Sequence, residues 1–143
     1  MVQSKTILIG ISLDQWPGVD SEDRIVYRIL EAAHTVHKSL RPGFIEGIYH
    51  RALTVELRAQ GFQVERERAI RIWYGASLVG KHRLDLVVDG SVIIELKANR
   101  SIIPVHIAQM QSYLRASQMR FGLLLNFGTA SLQWEVIRSD ELM

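Results

Sequence analysis

Asp85 stands ten residues before Glu95-Leu96-Lys97, inside a stretch that reads as a β-hairpin: Arg83-Leu84-Asp85-Leu86-Val87-Val88-Asp89-Gly90-Ser91-Val92-Ile93-Ile94-Glu95-Leu96-Lys97. Both flanks are rich in Val, Ile and Leu, so acids among them are costly to bury without a partner. Strand side chains alternate, which puts Glu95 and Lys97 on one face and Ile94 and Leu96 on the other. Two carboxylates beside an ammonium on a rigid sheet suit a divalent cation and the water it activates. The competing reading is a cross-strand Asp–Lys or Glu–Lys pair on a solvated face, which is common and worth little. Spacing alone leaves both open.

The first reading carries a geometric condition. If Asp85 lies across from Glu95, the turn centres on Gly90. A two-residue Asp89-Gly90 turn would instead pair Asp85 with Ile94 and send the acids to opposite faces, because a one-residue slip inverts every side chain. The sequence therefore requires a three-residue loop over Asp89-Gly90-Ser91, or a bulge of equal effect, although Asp-Gly favours two.

Other elements must position this hairpin. Asp20-Ser21-Glu22-Asp23 gathers cap residues and acids where a helix should begin. Ile25, Ile29, Ala32, Ala33, Val36 and Leu40 follow at helical spacing, and Arg41-Pro42-Gly43 breaks it. A second helix is expected from about Ile45 to Gln60, with Ile48, Ala52, Val55 and Ala59 along its apolar face and Gly61 closing it. Alternation then predicts strands over Phe62 to Arg68 and Ile70 to Tyr74, before the strands of Asp85 and of Val92 to Lys97. Pro104 opens a third helix, Val105 to Ala116, bearing Ile107, Met110, Gln111 and Leu114. The continuous apolar run Phe121 to Phe127 marks a strand buried on both faces, and Leu132 to Ile137 supplies another. The order ααβββ(β)αββ implies an α/β domain, helices on a central mixed sheet.

The chain has 143 residues, enough for one domain with a proper core. Seventeen Lys and Arg against fifteen Asp and Glu leave a net charge of only +2, which permits an anionic partner without requiring one. There is no cysteine, so disulfides and thiolate metal sites are excluded, and a reducing cytoplasm is the expected setting. The run Lys5 to Leu13 is too short to span a bilayer. It reads as an N-terminal extension over 1–19, as an added strand, ahead of a domain over 20–143. His34 and His37 lack a third ligand of suitable spacing and read as helix-surface residues. No Walker or dinucleotide loop and no G-x-S-x-G elbow is present.

Gly43-Phe44-Ile45-Glu46-Gly47-Ile48-Tyr49 resembles the GxxExxY motif of a family of small bacterial and archaeal proteins within the PD-(D/E)XK nuclease-like superfamily. The resemblance continues through Ile94-Glu95-Leu96-Lys97-Ala98, Pro104-Val105-His106 with Gln109 and Tyr113-Leu114, and Gly122-Leu123-Leu124-Leu125-Asn126-Phe127-Gly128. It covers roughly residues 20 to 138, and several ordered blocks agreeing together are far more specific than one short pattern.

The resemblance implies a restriction-endonuclease-like αβββαβ core with an extra N-terminal helix. It implies that Glu46, Asp85, Glu95 and Lys97 meet at one end of the sheet, with Gln109 from the following helix. Asp85, Glu95 and Glu46 would bind Mg²⁺ or Mn²⁺, hard ions that prefer oxygen. Lys97 would orient the attacking water or offset phosphorane charge. Arg83, expected on the face of Asp85, is a candidate phosphate clamp, and an ordinary surface arginine is the equal alternative. His82 would point the other way from Arg83 if the strand is regular. Tyr49, one turn after Glu46, would bond a catalytic carboxylate or stack on a base. A core tyrosine with a satisfied hydroxyl is the competing reading. Pro104 and His106 read as helix-start residues. The expected activity is metal-dependent phosphodiester hydrolysis, on DNA rather than RNA, by a protein with no membrane partner that pairs as a homodimer. The alternative is a non-catalytic nucleic-acid-binding or regulatory module that keeps the fold.

Overall fold

The computed structural model describes residues 21–139. The expected N-terminal extension, its added strand and Asp20 lie outside the described residues.

Helix α1 spans Ser21–Leu40 and α2 spans Glu46–Ala59. Val26, Ile29, Leu30, Ala32, Ala33 and Val36 form the buried stripe of α1. Arg41 then turns to positive φ (62°), its N–H closing back on the His37 carbonyl at 2.8 Å. The buried face of α2 is not the one expected. Tyr49, Leu53, Thr54 and Leu57 face inward, while Val55 is 69% exposed. Two i, i+4 ladders compete on this helix, and the one with the larger side chains buries more apolar area. His37 is likewise buried rather than on the helix surface, its Nε2 donating to the Thr129 carbonyl at 2.8 Å, whereas His34 is exposed.

Five strands follow in spatial order β1-β2-β3-β4-β5: Val64–Tyr74, Ser77–Val88, Val92–Lys97, Phe121–Asn126 and Gln133–Arg138. The two short strands expected before Gly75 are one long β1. Helix α3, Pro104–Ser117, crosses between β3 and β4, which pair in parallel, and every other pairing is antiparallel. Every residue of β4 is buried, because the sheet carries a cluster on each face. One cluster lies under α1 and α2 and includes Leu86, Ile94, Leu96 and Leu125; the other lies under α3 and includes Leu84, Val87, Ile93, Met110 and Leu114.

The hairpin register meets the condition set above. Val88 pairs with Val92 and Leu86 with Ile94. Asp89 and Gly90 both have positive φ, and Ser91 N–H reaches the Val88 carbonyl at 3.0 Å, so the Asp-Gly turn does form. Ser91 is the extra residue that shifts the pairing. Asp89 also ties the turn to the start of β1, accepting the Gln63 N–H at 2.9 Å.

Candidate active site

The ladder between β2 and β3 ends at Leu86–Ile94. One step further the strands part, and side chains bridge the gap. The Asp85 N–H donates to Glu95 Oε1 at 3.2 Å, and Asp85 Oδ2 accepts the Leu96 N–H at 2.9 Å. Each acid thus satisfies a backbone donor that the sheet would otherwise have paired. The same point is irregular on the other side of β2. Arg66–Leu86 and Arg68–Leu84 pair, Glu67 between them has φ 54°, and Leu84 packs toward α3 while Leu86 packs toward α1 and α2. In a regular strand those two leucines would share a face. The β1–β2 ribbon therefore rolls over at Asp85, beside the fork.

Glu95 is 7% exposed, yet among the described residues neither it nor Asp85, Glu46 or Lys97 is in an ion pair. Burial first, and the neighbouring Asp85 charge second, push the Glu95 carboxyl up to about 8, against weaker downward pulls from the Asp85 N–H bond and then from Lys97. The Glu46 carboxyl is raised in the same way, by burial and then by Asp85, while Lys97 and His50 pull it down. Glu46 and Glu95 each feel both Asp85 and Lys97, which puts the four groups in one neighbourhood.

A buried acid beside a half-buried one, with neither in an ion pair among the described residues, is an arrangement that a hard divalent ion relieves, so the donor set fits Mg²⁺ or Mn²⁺. Among the described residues no three Asp, Glu or His side chains form a metal cage by themselves. An ion held by Asp85 and Glu95, with Glu46 nearby, would complete its shell with water, carbonyl or substrate oxygens.

Helix α2 brings Glu46 to the site through its first turn. His50, four residues on, sends Nε2 to the Asp85 carbonyl at 2.9 Å; since a carbonyl only accepts, the ring proton sits on Nε2. Tyr49 does not reach a carboxylate or an exposed surface. It is fully buried, stacked on Phe127 at 4.9 Å, and its hydroxyl donates to the Arg41 carbonyl (2.6 Å) and accepts the Phe44 N–H (3.1 Å). The substrate-contact reading is corrected: Tyr49 stitches the α1–α2 turn and so fixes where α2 begins. Phe44 precedes α2, so its N–H has no helical partner, and the phenol supplies one.

On the other flank, α3 lays Tyr113 against His82, ring centroids 4.2 Å apart. The Tyr113 hydroxyl is pushed up to about 12 by burial, then by Glu95 and Asp85, which places it within the acids' field. Gln109, one turn earlier, is exposed, and its side chain makes no hydrogen bond among the described residues. His106 accepts the Ile103 N–H on Nδ1 at 3.1 Å beside Pro104, the helix-start role expected; burial, then Lys97, lower its pKa. Arg83 is exposed and does not share the face of Asp85. It lies between His82 and Leu84, both turned toward α3, so the roll-over at Asp85 sends it to the opposite side.

Behind the site, fully buried Asn126 closes the crossover that follows Lys97. Its Oδ1 accepts from Asn99 and Gly128, and its Nδ2 donates to the Asn99 carbonyl and to Gln133 Oε1. Sequence reasoning gave no role to His50, His82 or Tyr113. The i, i+4 spacing of Glu46 to His50 and of Gln109 to Tyr113 was the available signal. Nothing local announced His82, whose direction depends on the roll-over.

Solved structures are similar to this chain in backbone. The crystal structure of SSO0001 superposes with TM-score 0.51 at 25% identity, over 64% of this chain and 48% of that one, so the match spans about half the length of that protein. An alkaline exonuclease (LHK-Exo) from Laribacter hongkongensis gives TM-score 0.45 at 16% identity, over 87% of this chain and 74% of that one. No curated protein sequence is similar enough to count as a relative. A family model for the PD-(D/E)XK nuclease superfamily matches residues 23–139, the span that holds Glu46, Asp85, Glu95 and Lys97, and by that match the chain belongs to the PD-(D/E)XK nuclease superfamily.

Proposed function

We propose that this chain is a metal-dependent nuclease that hydrolyses phosphodiester bonds, with residues 20–143 as its catalytic unit and GxxExxY as its closer kinship. One observation carries the reading: a buried acid and its neighbour, Glu95 and Asp85, sit at a strand fork with Lys97 near and neither acid in an ion pair among the described residues. Nucleases of this superfamily generally use divalent metals. Asp85 and Glu95, assisted by Glu46, would hold Mg²⁺ or Mn²⁺, which when bound polarises the phosphodiester and acidifies water.

The chain's own residues do the rest. Lys97 orients the attacking water and offsets charge that builds on the phosphoryl oxygens. Asp85 and Glu95 stay fixed because their carboxylates also accept backbone N–H groups, so little reorganisation is needed on reaction. The Tyr113 hydroxyl, held protonated by its surroundings, is a donor available to the phosphate or leaving oxygen. Gln109, free at the surface of α3, and Arg83, on the outer side of the ribbon, are in reach of a substrate backbone only as flanking contacts.

DNA rather than RNA is the expected substrate, a homodimer the expected assembly, and the cytoplasm the expected compartment. No helix among the described residues is long and apolar enough to cross a membrane.

The test is incubation of the purified protein with single- and double-stranded DNA and RNA, with Mg²⁺, Mn²⁺ or EDTA. Cleavage that needs metal and vanishes in Glu95→Ala supports the reading. Intact nucleic acid in every mixture, with Glu95→Ala indistinguishable, sinks it and leaves the non-catalytic module.

A further inference from the structure

Beyond the fork the β1–β2 ribbon continues as a two-stranded arm, Arg68 to Tyr74 paired with Ser77 to Leu84. Trp73, Tyr74, Leu78 and Val79 on this arm are exposed, Trp73 by 56% and Tyr74 by 81%. Between the arm and α3 runs a cleft of about 750 Å³. Its lining includes Arg71, Lys81 and Arg115 together with Trp73, His82 and Tyr113, and it includes no acid. None of the three cations is in an ion pair among the described residues.

We propose that this cleft holds an unpaired strand of nucleic acid and feeds it to the acid pair. Charge comes first: three unpaired cations without a counter-acid suit consecutive phosphates. An exposed indole and apolar walls suit bases, and only an unpaired strand offers base faces, because a duplex keeps them stacked inside. Continuity comes third. The His82–Tyr113 stack lines the cleft, and His82 stands on β2 three residues before Asp85, so the cleft runs along the strand that leads to the fork. The bulge between Ile72 and Trp73 bends the arm where it meets the cleft. The proposal rests on the nuclease reading for what happens to the strand, but not for its binding.

Binding is therefore measured in EDTA, by fluorescence anisotropy of a labelled oligothymidylate of about twelve nucleotides. The full chain should bind it more tightly than a duplex of equal length. Arg71→Glu with Lys81→Glu should weaken it at least about tenfold, and Trp73→Ala by about tenfold. Arg24→Glu with Lys38→Glu, an equal charge change at exposed sites on α1, should leave it within about twofold. The salt dependence should correspond to about three phosphate contacts. Equal affinity for duplex, indifference to the Arg71 and Lys81 changes, or equal weakening by the α1 changes overturns the proposal. All variants are exposed, and their circular dichroism melts serve as the folding control. A chain that binds in this pattern but never cleaves overturns the nuclease reading and not the cleft. A chain that cleaves with binding indifferent to Arg71 and Lys81 does the reverse.

Discussion

The backbone N–H of Asp85 donates to the carboxylate of Glu95 at 3.2 Å, so the acid at the centre of the proposed site is also the acceptor that closes the fork. Asp85 answers by accepting from Leu96 at 2.9 Å. Site and scaffold share the same atoms here, and changes to either residue have structural and chemical consequences that must be separated.

Glu95→Gln separates them. The amide keeps an oxygen for the Asp85 N–H but removes a buried charge beside another. In EDTA at pH 8 the variant should be more stable than wild type, on the order of 2–4 kcal/mol, while cleavage is lost. Urea denaturation at that pH decides the point: a variant less stable than wild type contradicts the electrostatic account. Gain of stability with loss of activity is the usual signature of a strained functional site.

The pH dependence has a definite sign. Glu95 titrates near 4.5 when unfolded and near 8 when folded, so between those values the native state holds a proton that the unfolded state has lost. Stability contributed by this group is present below pH 4.5 and lost as pH rises toward 8, by about 1.4 kcal/mol per pH unit within the window. Divalent metal competes with that proton, so the rise in Tm caused by Mn²⁺ should grow across the same window. Melts with and without Mn²⁺ from pH 5 to 9 test both slopes; a flat metal shift would count against the site.

Asp85→Asn and Asp85→Ala should diverge. Asparagine can still accept the Leu96 N–H, so the fork survives, yet the charge is gone. Its metal-induced Tm shift should disappear and cleavage fall by about a hundredfold or more. Alanine also orphans the Leu96 donor and should lower stability by about 1–3 kcal/mol. Equal stability of the two variants would mean that the side chain does not hold the strands.

Tyr49→Phe removes the hydroxyl that links Arg41 and Phe44. Stability should fall by about 1–2 kcal/mol, and kcat should drop through misplacement of Glu46 with KM for nucleic acid unchanged. A rise in KM alone would restore the view that Tyr49 touches substrate.

Gly128→Ala addresses the crossover. A Cβ there would clash with the Asn99 carbonyl oxygen, which is backbone and cannot yield easily. A loss of about 1–3 kcal/mol is expected in denaturation, with the larger effect on kcat because the segment after Lys97 moves. A neutral substitution would show that the turn has slack.

The amino-acid sequence by itself determined the order of elements and the two-faced burial of β4, because both follow from local periodicity; the hairpin parity it set only as a condition, which the structure met. It also brought together the ordered blocks that mark the superfamily. What only the tertiary structure decided was direction. The inward face of α2 was settled by competition between two ladders of equal period, resolved in favour of the bulkier one. The fate of Arg83 and His82 was settled by the roll-over at Glu67 and Asp85, where two paired strands turn together while keeping register. Alternation predicts a side chain's face only while the strand stays regular. At this site it does not, since Asp85 gives up its ladder bonds to reach the Leu96 N–H and lie beside Glu95.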